Sequence, residues 1–174
     1  FPTKKEMDKF YKDILKEMGK EIDIKLELIS KDIYNHAGCE FNIASPSQLG
    51  EVLFEKLGLP HGKKTKTGYS TNKEVLESLE EYHEIIPLLI EYRQTMKLKS
   101  TYVDGMRPTI KEDSRIHTTF MQTVTSTGRL SSVEPNLQNI PIRLELGSKI
   151  RTFFTAPSNR CIVDADYSQI ELRV

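Results

Sequence analysis

Two stretches of the 174-residue chain gather side chains able to do chemistry. The first centres on Asp166, which closes the short run RCIVDAD at residues 160–166 and precedes SQIELRV, a segment that Ser168 is suited to cap as a helix. The apolar centre of that run predicts a short buried strand. A carboxylate at the carboxyl end of such a strand lies where α/β folds place reactive groups, and it suits a hard cation such as Mg2+. Asp164 would share the same strand face. The same position also serves simply to cap the next helix. One carboxylate is too few for a two-metal site, which needs ligands from elsewhere. The second stretch is STGRLSSVEPNLQNIPIR at residues 126–143, dense in the donors Arg129, Asn136, Gln138, Asn139 and Arg143. The minor groove of any base pair presents acceptors, so such donors could touch every correct pair without reading sequence. A polar surface turn would have much the same composition.

The elements that must position these residues divide into two kinds. Apolar residues recur at three- and four-residue steps over 3–37, from Met7 through Ile22 to Ile33, and predict one long amphipathic helix. Thr3 with Glu6 forms a capping box and Gly38 suits the C-terminal turn, while Gly19 is a weak point. Ser45, Pro46 and Gln48 open a second helix that Gly58 ends. Residues 59–69 read as a basic loop. Thr71 with Glu74 predicts a cap for a short third helix. A fourth helix is expected over 84–104, with Pro87 in its first turn and Gly105 and Pro108 stopping it. The character then changes. Residues 115–125 are Thr-rich and alternating and predict a strand, 126–143 a turn-rich loop, and 147–154 a short helix. A domain boundary is expected between Gly105 and Pro108.

The overall charge balances at zero, which argues against a generic basic nucleic-acid binder, but the charges are segregated. Residues 56–73 carry a net +5 and residues 74–91 a net −6. This can mark a local anion-binding patch, or a solvated loop beside a solvated helix. No apolar run approaches the length a bilayer requires. The start is charged within four residues and has no signal-peptide pattern. Cys39 and Cys161 lie far apart without zinc spacing, so reduced thiols in a cytoplasmic protein are expected. The missing initiator Met, and a final helix of about six residues, which is too short to stand alone in water, suggest a piece of a longer protein.

The run from Thr123 to Arg143 (T-x-T-x-TGRLSS-x-x-PNLQNIPIR) followed by DYSQIELRV resembles the family A DNA polymerases of the bacterial DNA polymerase I type. NIASPSQLGEVLFEKLGLP, KKTKTGYST, YHEI, YRQTMKLKSTYVDGM and RIHTTF look like the same family in the same order, so the resemblance covers roughly residues 20–174. It implies an α+β, mainly helical fold. Residues 1–105 would be a thumb of long antiparallel helices with a small helical tip, and residues 106–174 the first part of an α/β palm.

The resemblance further implies a DNA-directed DNA polymerase that extends a primer 3′ end on a template by two-metal nucleotidyl transfer. Asp166 would bind both catalytic Mg2+ ions with help from the Tyr167 carbonyl. Ser168, Gln169, Ile170 and Glu171 would line the deoxynucleotide pocket, with Glu171 excluding a ribose 2′-hydroxyl. Arg129, Gln138 and Asn139 would touch the minor groove or sugars near the primer end, and Asn136 and Arg143 the backbone. Ser45, Lys63, Lys64, Thr65, Lys66, Thr67, Ser70 and Thr71 would grip duplex phosphates. Arg93, Lys97, Ser100 and Thr101 would line the inner face of the long helix. The expected partners are primer–template duplex DNA, deoxynucleoside triphosphates and the remaining palm and fingers, with no membrane. The chain departs from the family pattern at Met121 and Ala44, each standing where the family has Asn. The family's second metal-binding carboxylate and nucleotide-binding Lys helix have no counterpart here. As an isolated chain, a non-catalytic duplex-binding module is therefore the expected behaviour.

Overall fold

The computed structural model describes residues 4–62, 68–113, 115–141, 145–152, 154–156, 159–169 and 172. Helix α1 runs unbroken over Lys4–Ala37. Its buried residues Leu15, Met18, Ile22, Leu26, Ile29, Ile33 and Ala37 follow the three- and four-residue steps that place side chains on one face. Gly19 does not break it. A Cβ there would sit 3.5 Å from Val103 Cγ1, so the glycine lies against a neighbouring chain segment whose packing holds the helix. Gly38, at φ 64°, ends α1 in the left-handed conformation that glycine adopts without strain. The capping residue expected at Thr3 lies outside the described residues.

Helix α2 (Pro46–Gly50) continues as a π-helical segment over Glu51–Lys56, closed by the Leu57 N–H to Val52 O bond of 2.9 Å. Ser45 caps α2 as expected, its Oγ accepting from Gln48 N–H at 3.5 Å. Gln48 Oε1 accepts from Asn42 N–H at 2.7 Å, reaching three residues beyond the capping-box partner. Helix α3 (Lys73–Ser78) is capped by Asn72, whose Oδ1 accepts from Val75 N–H at 2.9 Å. This corrects the expected cap at Thr71. The Thr71 hydroxyl accepts from Arg93 instead, 22 residues away.

Helix α4 (Ile85–Leu98) begins with His83 Nδ1 accepting from Ile85 N–H at 3.0 Å, tolerates Pro87 in its first turn, and continues as a π-helical segment over Lys99–Asp104. Gly105 follows where a Cβ would lie 2.6 Å from Thr101 O, so no larger residue fits. α1 and α4 are antiparallel partners: His36 faces Glu84, Lys25 Nζ meets Glu91 at 2.7 Å, and Gly19 lies by Val103. The core sits at the tip, where Ile29, Ile33, Leu49, Leu53, Leu76, Ile85, Ile86 and Leu89 pack together.

Beyond Asp104 the chain is less regular. A 3-10 turn spans Arg107–Thr109, and Ile110 bridges Ile116. Strand β1 (Thr119–Met121) pairs antiparallel with β2 (Ser131–Val133) in the register Thr119↔Val133, Phe120↔Ser132 and Met121↔Ser131. The strand expected over 115–125 is thus three residues long, and the polar stretch read as pure loop supplies its partner. The molecule divides into two compact units, residues 1–138 and 139–174.

In the second unit, α5 covers Glu145–Arg151, two residues ahead of the expected start. Gly147 packs so closely on Pro141 that a Cβ would meet its carbonyl oxygen, and Ile150 is fully buried. The buried strand expected at 160–166 is not formed. These residues are exposed, Ile162 at 66% and Val163 at 79%, and no described strand pairs with them. A strand's hydrogen bonds come from its neighbour, so β-propensity alone cannot bury it. Asp164 and Asp166 therefore do not share a sheet face. The helix expected after Ser168 is represented by a turn in which Leu172 N–H donates to Gln169 O at 3.1 Å, while Ile170 and Glu171 lie outside the described residues. The architecture is α+β and mainly helical, as expected. Among the described residues no helix is long and apolar enough to cross a membrane. Both cysteines are free.

Candidate nucleic-acid interface

At the helical tip, the start of α2, the approach to α3 and the middle of α4 enclose an open cleft of about 570 Å3. Ser70, Thr71, Asn72 and Arg93 line it beside Pro46, Tyr69 and Tyr92. The structure therefore brings together three of the residues named from sequence, Ser70, Thr71 and Arg93, next to the Ser45 cap. Ser70 is exposed, Thr71 is buried at 5% and Arg93 is half-buried. Arg93 donates through Nη1 to Thr71 O and through Nη2 to Thr71 Oγ1 at 3.1 Å. Burial pushes its guanidinium below the ordinary value, yet arginine stays charged.

One helical turn further, Lys97 is exposed, and Ser100 Oγ donates to its carbonyl oxygen at 3.2 Å. Thr101 is half-buried in the π-helical segment. Lys99 has a different fate: its ammonium lies 3.2 Å from Asp104 and 3.3 Å from Asp23, and the hydrogen bond to Asp104, then the one to Asp23, hold it above the ordinary lysine value. It is committed to carboxylates on α1 and on its own helix.

Lys63, Lys64, Thr65, Lys66 and Thr67 lie outside the described residues, but their flanks are described. His61 and Tyr69 bracket them, and both rings pack on Phe54 and on each other, with centroids 4.8 to 5.7 Å apart. His61 and Tyr69 are thus both packed on the π-helical end of α2. Sequence reasoning missed this trio. The available signal was the pair of aromatic rings on either side of a basic run.

The donor-rich loop is organised by Ser132, a fully buried polar residue. Its Oγ accepts from Leu137 N–H at 3.0 Å and lies 2.6 Å from Thr118 Oγ1. Thr118 Oγ1 also sits 2.8 Å from Pro135 O, after the cis bond between Glu134 and Pro135. Ser132 N–H donates to Gln138 Oε1 at 3.1 Å, and Asn136 Oδ1 accepts from Gln138 N–H at 3.0 Å. Both amide oxygens are therefore occupied inside the loop, which fixes which end of each amide is the nitrogen. Arg129 is exposed and its carbonyl oxygen accepts from Thr125 Oγ1 at 2.6 Å. Asn139 is exposed at the start of the second unit. Arg143 lies outside the described residues. Neither Thr118 nor Ser132 was singled out from sequence, since nothing distinguishes a buried serine within a polar run.

Asp166, Tyr167, Ser168 and Gln169 are all exposed, with Gln169 at φ 55°. Among the described residues no group of three or more His, Cys, Asp or Glu is placed to hold a metal ion.

Comparison with known proteins bears on all of these residues at once. The family model of DNA polymerase family A matches residues 12–174. DNA polymerase I of Lactococcus lactis subsp. cremoris is 56% identical over 160 residues, covering 92% of this chain and 18% of that protein. DNA polymerase I of Bacillus subtilis is 56% identical over 165 residues, covering 93% and 19%. Among solved structures, the POL domain of Pol1 from M. smegmatis, in complex with DNA primer-template and dNTP, is similar with a TM-score of 0.80 and 43% identity. That match covers 93% of this chain and 29% of the other. The chain thus spans less than a fifth of the length of these curated relatives.

Proposed function

The chain belongs to DNA polymerase family A, and from that premise we propose that it is the duplex-gripping part, with the beginning of the catalytic palm, of a DNA-directed DNA polymerase that extends a primer 3′ end on a DNA template. Residues 1–105 act as the thumb and residues 106–174 as the first part of the palm. The observation that carries this reading is the similarity, over 93% of the chain, to a polymerase domain solved with primer-template and dNTP.

The chemistry of the described residues agrees with such a role. With the oxygens of Asn136 and Gln138 occupied inside the loop, their amide nitrogens remain as donors. Donors match the acceptors that every base pair shows in its minor groove, so Arg129, Gln138 and Asn139 can test pair geometry without reading sequence. At the tip, Ser45 and Ser70, with Lys63, Lys64, Thr65, Lys66 and Thr67, hold duplex phosphates, and Lys97, Ser100 and Thr101 line the inner face of the long helix. Such contacts are sequence-independent and weaken with salt. Arg143 holds the backbone beyond the loop.

Asp166 contributes a carboxylate to the reacting centre. A Mg2+ ion takes several oxygen ligands, and the described residues offer no cluster that would hold one. They do not fit the ion by themselves, and the metal roles of Asp166 and Tyr167 depend on further ligands from outside these residues. Ser168, Gln169, Ile170 and Glu171 line the nucleotide side of the same place. For the chain by itself a second reading is a duplex-binding module without catalysis, since one carboxylate, Asp166, is too few for a two-metal site.

The test is Asp166→Asn in the intact protein that contains these residues. Primer extension is expected to be lost while duplex affinity is kept; extension at the original rate would overturn the reading of Asp166.

A further inference from the structure

We propose that Arg93 serves DNA binding as a positioning residue, clamping the segment Ser70–Asn72 onto α4, rather than as a phosphate ligand. This rests on the duplex-gripping reading above and deepens it. Two of the five N–H donors of the guanidinium are spent on one residue, the Thr71 carbonyl oxygen and the Thr71 hydroxyl. The Thr71 carbonyl lies just outside the α3 ladder, whose first bond is Leu76 N–H to Asn72 O. It is a buried acceptor without a helical partner, and Arg93 supplies one. The donor and acceptor residues stand 22 positions apart, so the clamp joins two elements that local sequence does not join.

The segment that it holds is fixed at two points. On one side of Ser70, the Tyr69 ring packs on Phe54 at 4.9 Å. On the other, Thr71 is buried under Arg93. Ser70 between them is exposed, and Asn72 caps α3 immediately after Thr71. Fixing both neighbours of an exposed hydroxyl fixes the hydroxyl, a neutral group whose contact with DNA would release no counterion. A lysine at 93 would keep the charge but lacks the planar fork that presents two N–H groups in fixed geometry to the carbonyl and the hydroxyl, its ammonium sitting on a flexible stem.

The two roles differ in salt dependence. A phosphate ligand releases counterions, and each such contact contributes about 0.9 to the slope of log K against log salt for duplex DNA. A positioning residue changes affinity and leaves the slope nearly alone. The experiment is duplex binding by the intact protein across a salt series, for the unsubstituted protein, Arg93→Ala, Arg93→Lys and Thr71→Val.

The expected result is a loss of about tenfold in affinity for Arg93→Ala, the size of a charge-assisted hydrogen bond. Arg93→Lys should fail to restore it, Thr71→Val should be intermediate, and the slope should be unchanged throughout. Recovery by Arg93→Lys, or a slope lowered by about 0.9 in Arg93→Ala, would make Arg93 a phosphate ligand and overturn the proposal. A lowered melting temperature with unchanged affinity would overturn it too, by making the clamp structural only. If the unsubstituted protein does not bind duplex DNA, the duplex-gripping reading itself fails, and this inference with it.

Discussion

Residues 4–106 and residues 159–172 contain comparable apolar runs and end in opposite conditions. In the first, Ile22, Ile33, Leu53, Ile86 and Leu89 are all fully buried. In the second, Ile162 and Val163 stay exposed at 66% and 79%. The difference lies in where backbone partners come from. A helix satisfies its own N–H and C=O groups within four residues, so an apolar stripe needs only a surface to cover. A strand draws its partners from another segment. Hydrophobicity says what a segment is ready to bury, and pairing decides whether it does so.

The sharpest way to break this comparison is to truncate one residue from each side. Leu89→Ala should cost about 2–5 kcal/mol in urea unfolding, since it removes atoms from a fully buried site. Val163→Ala should change stability by no more than about 0.5 kcal/mol. Equal losses would mean that the segment 159–169 is buried in solution. A smaller effect tests the helical side alone: Asn72→Ala should cost about 1 kcal/mol, because Val75 N–H loses its acceptor, and thermal unfolding would read it.

The smallest effects are ionic. The folded value of Lys99 is raised by Asp104 and Asp23, so its contribution is present below the ordinary lysine range near 10.5 and is lost as pH rises through the folded value. At a largely solvated pair it amounts to roughly 0–1 kcal/mol. Asp113, held low by its hydrogen bond to His117, runs the other way, losing its contribution as pH falls through its folded value. Unfolding followed at alkaline pH should show Lys99→Met flattening the alkaline limb. An alkaline limb unchanged by the substitution would contradict the pairing.

Much of the helical half was legible because its signals are local. The stripe in α1, the Ser45–Pro46 start and the stops at Gly38 and Gly58 all act within a turn. The α3 cap was misplaced by one residue for a tertiary reason: Arg93 takes the hydroxyl that would have capped. β2 was hidden because Ser131–Val133 is polar at its start and becomes a strand only through β1. Of the site, the resemblance named the residues, whereas physics alone left Asp166 between a cap and a ligand. The Ser132 hub, which sets the amide orientation of Gln138, has no signature of spacing or type.

The π-helical end of α4 also bears on how this chain tolerates changes in length. A π turn holds one residue more than the α turn it replaces, in effect an insertion absorbed without breaking the helix. Deleting one residue between Lys99 and Asp104 would let that turn relax to α geometry with the polypeptide after it kept in phase, whereas deleting one residue from the α-helical part, Ile85–Leu98, would rotate everything after it by about 100°, one residue's step at 3.6 per turn. Tyr102, Val103 and Met106 now lie buried on the face turned to α1 or just beyond it, and the rotation would swing them toward water. A deletion within the π-helical segment is a local matter; one in the α-helical part re-aims the polypeptide that leads to β1 and the Ser132 loop.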